Sequence, residues 1–102
     1  HVHIYLLDDQ KEYLVLSGGA GEIGKIMVTY GHKININAPQ SLVALCARTH
    51  ELVIVNDVTK TPNYLPNRFL PKTASELAIP MIVAGQLIGV FDVQSEQYDY
   101  FN

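Results

Sequence analysis

Apolar and polar positions change period several times along this chain, and each change marks an element. The longest apolar run is Ser75–Ser95, SELAIPMIVAGQLIGVFDVQS, interrupted only at Ala84-Gly85. In its first half Leu77, Ile79, Met81 and Val83 alternate with Glu76, Ala78, Pro80 and Ile82. In its second half Leu87, Gly89, Phe91 and Val93 alternate with Ile88, Val90, Asp92 and Gln94. A period of two predicts a β-hairpin, with strands Ser75–Ala84 and Gln86–Gln94 and a tight turn at Gly85. Both faces of each arm are apolar near the middle, so both require cover. Pro80 has no N–H for a ladder, which predicts a bulge near it. Gly89 is expected to relieve twist rather than to mark close packing.

The rest of the chain is arranged around this hairpin. Val2, Ile4 and Leu6 alternate with His3, Tyr5 and Leu7, a strand that turns at the polar stretch Asp8-Asp9-Gln10-Lys11 and returns over Glu12–Ser17. The glycines in SGGAGEIG fit neither the dinucleotide fingerprint nor the P-loop, and no Lys-Ser or Lys-Thr follows them. They read instead as a strand end entering a short helix, Glu22–Tyr30, with Ile23, Ile26, Met27 and Tyr30 at helical spacing. Lys33–Asn37 alternates as an edge strand with Lys33, Asn35 and Asn37 outward. Leu42, Leu45, Cys46 and Thr49 fall on one face of a further helix, capped by Gln40 or Ser41 and closed by Arg48 and His50. Leu52–Asn56 reads as a short buried strand. Asp57–Thr73 carries Pro62, Asn63, Pro66 and Pro71 and predicts a long loop, with Tyr64, Leu65, Phe69 and Leu70 as anchors packing it down. Six strands with hairpins at both ends and two intervening helices predict a mixed, mainly antiparallel α+β fold.

Composition narrows the function. At 102 residues and 48% hydrophobic, the chain has the size and make-up of one globular domain. A net charge of −3 without runs of like charge disfavours nucleic acid and direct membrane contact. One cysteine, Cys46, cannot form an intrachain disulfide or a thiolate metal cluster, and points to a reducing, cytoplasmic setting, whether in a soluble protein or in the cytoplasmic part of a membrane-anchored sensor. His1 and His3 share a strand face but read as surface histidines rather than metal ligands. No spacing assembles a nucleophilic triad or a pair of catalytic carboxylates. Residue 1 already stands beside a strand pattern, which reads as a segment of a longer protein.

The stretch HELVIVNDVTKTPNYLPNRFLPKTASELAIPMIVAGQLIGVFDVQS resembles a GAF domain. The resemblance rests on a helix ending Arg48-Thr49-His50-Glu51, the strand VIVNDV, the Pro-Asn-Tyr loop, Leu70-Pro71 ahead of Ser75-Glu76-Leu77, and the closing Asp92-Val93-Gln94-Ser95. It is nearest to the GAF modules of bacterial sensor histidine kinases and cyclic-dinucleotide signalling proteins. It implies a six-stranded antiparallel sheet with helices and a ligand pocket on one face, and flanking helices, lacking in this stretch, over the other. A sheet face that includes Val2, Ile4, Leu6, Leu87 or their alternates then lies bare, which predicts a homodimer.

The same resemblance implies a sensory module that binds a small molecule and signals to an output domain of its own chain. A ligand-free module serving dimerisation is the alternative. By position, Leu42, Cys46, Asp57, Tyr64, Phe69, Thr73 and Glu76 are the candidate pocket residues. The family's cyclic-GMP signature is missing, Cys46 does not sit in the context of a bilin attachment site, and His32 and His50 lack the spacing of a haem site, so no cofactor is assigned. Family members that reduce free methionine sulfoxide rely on several cysteines, because a sulfenic acid must be resolved by a second thiol. With Cys46 alone, the chain is expected not to be an enzyme.

Overall fold

In a computed structural model, which describes residues 1–62, 64 and 66–101, strands β1 (Val2–Leu7) and β2 (Tyr13–Gly19) form the first hairpin. Helix α1 (Gly21–Tyr30), strand β3 (Lys33–Asn35), helix α2 (Leu42–Thr49) and strand β4 (Val53–Val55) follow, then β5 (Ser75–Val83) and β6 (Gln86–Ser95). All six strands belong to one sheet in the order β3-β2-β1-β6-β5-β4, with every neighbouring pair antiparallel. The α+β architecture expected from the pattern is the one observed.

Local chemistry sets the boundaries. Ala84 and Gly85 both take positive φ, 51° and 78°, the backbone of a two-residue turn whose twist matches a right-twisted hairpin. Pro80 pairs with Val90 beyond the end of β4, where one side of β5 has no neighbouring strand. The register shift falls just past it, between Met81 and Ile82, and Ile88 is the extra residue. Gly89 corrects the twist-relief reading. A Cβ there would collide with the carbonyl oxygen of Tyr5 and approach the Met81 methyl, so the glycine is required by close strand packing. The Ser41 hydroxyl accepts a hydrogen bond from the Ala44 amide at 3.1 Å and caps α2. Arg48 ties the end of that helix to the carbonyls of Ile36 and Ala38 at 2.7 and 3.1 Å.

One sheet face is covered and the other is bare. Tyr5, Leu14, Leu16, Ala78 and Val90 meet Met27 of α1 and Val43, Cys46 and Ala47 of α2 in a single core. Burying side chains such as Leu14 or Met27 stabilises the fold by about 2 kcal/mol each. The helix faces differ from the expected ones. α2 buries Ala44 and Ala47 beside Leu42, Val43 and Cys46, while Leu45 and Thr49 face water, because small residues let the helix lie close on the sheet. α1 buries Gly24 and Met27 and leaves Ile26 and Tyr30 exposed. β4 is an edge strand with Ile54 exposed, not a buried one. Leu70 is buried and Phe69 half-buried, so these two loop anchors pack down, and Leu65 lies outside the described residues.

Across the sheet, Val2, Ile4 and Leu6 are 36%, 37% and 42% exposed. By register Phe91, Val93, Leu77 and Ile79 stand beside them on the same face. Leu87 does not join that set, because it packs against the core. His3, expected at the surface, is fully buried beside Asp92, its partner across β1 and β6.

Candidate functional site

The bulge at Ile88 determines what meets at the base of the closing hairpin. With it, Glu76 of β5 stands opposite Gln94 of β6 on the covered face, and Asp92 lies two residues along β6 on that face. All three are buried. The Gln94 Nε2 group donates to Asp92 Oδ2 at 2.9 Å and to Glu76 Oε2 at 3.3 Å. Its Oε1 accepts from the Thr73 hydroxyl at 2.7 Å. The Tyr64 hydroxyl donates to Glu76 Oε1 at 3.0 Å, which ties the long loop to the sheet. Among the described residues Asp92 Oδ1 has no partner, nor has either ring nitrogen of His3 or Nε2 of His32.

These groups sit under and around a cavity of about 70 Å³ enclosed by the sheet, the first turn of α2 and the long loop. Tyr5, Glu76 and Gln94 form its sheet side, Ser41, Leu42 and Val43 its helix side, and Tyr64, Pro66 and Asn67 its loop side. His32 closes one flank, edge-on to Tyr5 and to Phe69 with ring centroids 5.9 and 6.1 Å apart. Phe69 in turn leans on Tyr30, and the Arg68 guanidinium lies over both rings.

Burial dominates the electrostatics. It raises Glu76 well above the ordinary carboxyl range, and the charge of Asp92 raises it further. Burial also raises Asp92, against hydrogen bonds from Glu76 and Gln94 that pull it down. Desolvation, then the nearby carboxylates, push the phenols of Tyr5 and Tyr64 up, so both stay neutral donors. His3 is pushed down to about 4, chiefly by burial and further by His32. His32 is lowered by burial and by Arg68. The cavity therefore has one raised acid, Glu76, on its sheet side among neutral donors, with Asp92 buried behind it and joined to it through the Gln94 amide.

Of the residues proposed from sequence, Leu42, Tyr64 and Glu76 come together at the cavity, and Thr73 joins through Gln94. Phe69 packs outside it against His32. Cys46 lies in the core, its thiol pushed up to about 11 by burial and by Asp92. Asp57 stands apart, its carboxylate accepting from the Thr59 amide at 3.0 Å to cap the short 3-10 helix Val58–Lys60. Sequence reasoning missed Tyr5, His32, Ser41, Asn67, Asp92 and Gln94. Asp92 and Gln94 did leave a signal: two polar residues at period two inside an apolar strand, on the face of Val90.

The family model described as GAF domain matches residues 1–102. The chain belongs to the GAF domain family. This GAF domain is 32% identical over 101 residues to GAF domain-containing protein A of Dictyostelium discoideum, covering 99% of the chain and 57% of that protein. Among solved structures it is similar to a type II free methionine-R-sulfoxide reductase from Thermoplasma acidophilum, 26% identical with a TM-score of 0.73, covering 99% of the chain and 64% of the reductase. It also shares the fold of the GAF domain from an Acinetobacter phosphoenolpyruvate-protein phosphotransferase, 24% identical with a TM-score of 0.76, covering 99% and 57%. The chain thus spans less than two thirds of each.

The reductase likeness overturns the expectation that the chain is not an enzyme. That expectation rested on the lone thiol of Cys46. The same fold serves a reductase as well as regulatory modules, and a thiol count over 64% of that enzyme's length does not exclude chemistry. Among the described residues no helix is long and apolar enough to cross a membrane.

Proposed function

We propose that this GAF domain is a sensory module that binds a small molecule bearing an ammonium group between α2 and the sheet, and passes its occupancy to an output domain of the same chain. The observation that carries this reading is the buried pair Glu76 and Asp92, which receives hydrogen bonds from neutral donors and leaves Asp92 Oδ1 unpartnered. A buried carboxylate with an open acceptor favours a ligand that brings a charged donor. On the helix side of the cavity, the first turn of α2 presents amide N–H groups without intrahelical acceptors, which suit a carboxylate. Amino acids carry both groups. The Thermoplasma reductase, named for free methionine sulfoxide, is consistent with that ligand class.

In this reading Leu42, Tyr64, Thr73 and Glu76 form the ligand site, Cys46 and Phe69 support it from outside, and Asp57 takes no part. A cavity of about 70 Å³ is small beside the roughly 300 Å³ or more of drug-sized pockets, so the loop bearing Tyr64, Pro66 and Asn67 shifts as the ligand enters. Signalling follows if the ligand prefers one arrangement of the flanking segments. We place the domain in a cytoplasmic signalling protein of the histidine-kinase or cyclic-dinucleotide kind, with the bare face of Val2, Ile4 and Leu6 covered by flanking helices and a second copy.

Dye-monitored thermal unfolding against a panel of amino acids, simple amines and carboxylic acids tests the ligand class. An amino compound at about a hundredfold its Kd adds roughly 3 kcal/mol to folding and raises the Tm, and Glu76→Gln and Tyr64→Phe blunt the rise. Stabilisation by carboxylic acids lacking nitrogen, with none from amines, overturns the reading.

A further inference from the structure

Glu76 and Asp92 are both buried and are bridged by one amide group, Gln94 Nε2, which donates to Glu76 Oε2 at 3.3 Å and to Asp92 Oδ2 at 2.9 Å. The ion pairs among the described residues are His1 with Glu96 and Lys25 with Glu22, so neither buried acid has a salt-bridge cation. The charged and titratable groups facing the pair are few. Among the described residues β1 contributes Tyr5, the loop Tyr64 and α2 Cys46. His3, across the register from Asp92, is held neutral. Among the described residues the four carboxyl oxygens share three donor hydrogens, two from Gln94 and one from Tyr64, and Oδ1 of Asp92 is the one left over. Two adjacent anions in such a place are untenable.

We propose that the empty pocket keeps one proton on the Glu76–Asp92 pair and surrenders it to an arriving ammonium group, so that ligand binding is an exchange of one cation for one proton. This rests on the ammonium reading above. The balance is direct. Empty, the pair carries one proton and a charge of minus one. Occupied, both carboxylates are ionised, the ammonium supplies plus one, and the net charge is again minus one, with the proton released to solvent. The three N–H donors of the ammonium replace the single donor that the proton supplied, and Asp92 Oδ1 gains a charged neighbour. The exchange makes the pocket read pH together with its ligand. At acid pH it is occupied by protons, and near neutral pH it becomes available to amines.

Isothermal titration calorimetry of the protein with L-methionine and with ethylammonium, in phosphate and in MOPS between pH 6 and 8, counts protons released per ligand bound. Carbon-13 NMR of the Glu and Asp carboxyl groups follows the pair without ligand. The expected result is one carboxyl signal that titrates above the ordinary range, about one proton released, and affinity rising nearly tenfold per pH unit while the pair is still protonated. Glu76→Gln and, separately, Asp92→Asn abolish both the release and the slope. Two ionised carboxyl groups at neutral pH in the empty protein overturn the stored proton. Binding without proton release overturns the exchange and leaves the ammonium reading standing. A stored proton with no binding of either probe defeats the ammonium reading, and the exchange with it.

Discussion

His3 offers a quantitative test of how the covered face is built. Its ring is fully buried, both nitrogens lack partners, and it is pushed down from the ordinary 6.5 to about 4. Because the folded value is depressed, the unfolded chain binds the extra proton first. The stability contributed by neutral His3 is therefore present above pH 6.5 and is lost as pH falls through about 4. At about 1.4 kcal/mol per pH unit, the loss between pH 7 and pH 4 comes to about 3 kcal/mol, a large share of the stability of a domain this size. The acids Glu76 and Asp92 act in the opposite sense, since their raised values favour the folded state at low pH. The measurement is therefore a difference: urea unfolding of the wild type and of His3→Leu, which is close in volume, at pH 7, 5.5 and 4. At pH 7 the variant is expected within about 1 kcal/mol of wild type, because it removes two unpartnered polar atoms along with the imidazole. At pH 4 it is expected to be more stable than wild type by about 3 kcal/mol relative to that baseline. Parallel pH profiles for the two proteins would refute the reasoning and place water or a partner on the His3 nitrogens.

Other consequences of the packing are simpler to read. Gly89→Ala drives a methyl group into the Tyr5 carbonyl and is expected to cost about 3 kcal/mol in chemical denaturation. Gly18→Ala on β2, with open space around it, is expected to stay within about 0.5 kcal/mol, and equal losses at the two sites would mean that strand entropy rather than contact governs both. Ser41→Ala removes the cap of α2 and lowers stability by about 1 kcal/mol, with faster amide exchange of Ala44. Ile4→Lys puts a charge in the middle of the bare face and is expected to shift the sedimentation coefficient to that of a monomer. An unchanged dimer in that variant places the interface elsewhere.

The alternation of apolar residues was enough to read the architecture, because strands covered on one face repeat their chemistry every second position. Strands Val2–Leu7 and Ser75–Val83 and helix Gly21–Tyr30 lie within a residue of their expected bounds. Shorter elements were less legible. β3 and β4 reach only three residues, each pairing with three residues of a longer neighbour before the chain leaves the edge of the sheet. The pocket was readable in part. Glu76 and Tyr64 announce themselves as polar groups beside apolar anchors. Their partners depend on a single extra residue. Counted outward from Ala84-Gly85 without a bulge, Glu76 meets Val93; with Ile88 set aside, it meets Gln94. Pro80 predicts a bulge near it and the shift falls between Met81 and Ile82, but the proline does not specify which residue of the facing strand is the extra one. His3 was misread for a similar reason, since alternation gives the face of a residue but not which face is covered.

The two edges of the sheet make the surface directional. β3 and β4 offer only three residues each, and Lys33 and Asn35 on the former are exposed. A foreign strand aligning there finds a ladder too short to hold it and a charge to desolvate. A body approaching the flat side finds aliphatic ground instead. Copies of this domain placed in series along one polypeptide can therefore stack back to back without exchanging strands, so the order of such an array is set by its connecting segments and not by cross-pairing between neighbours.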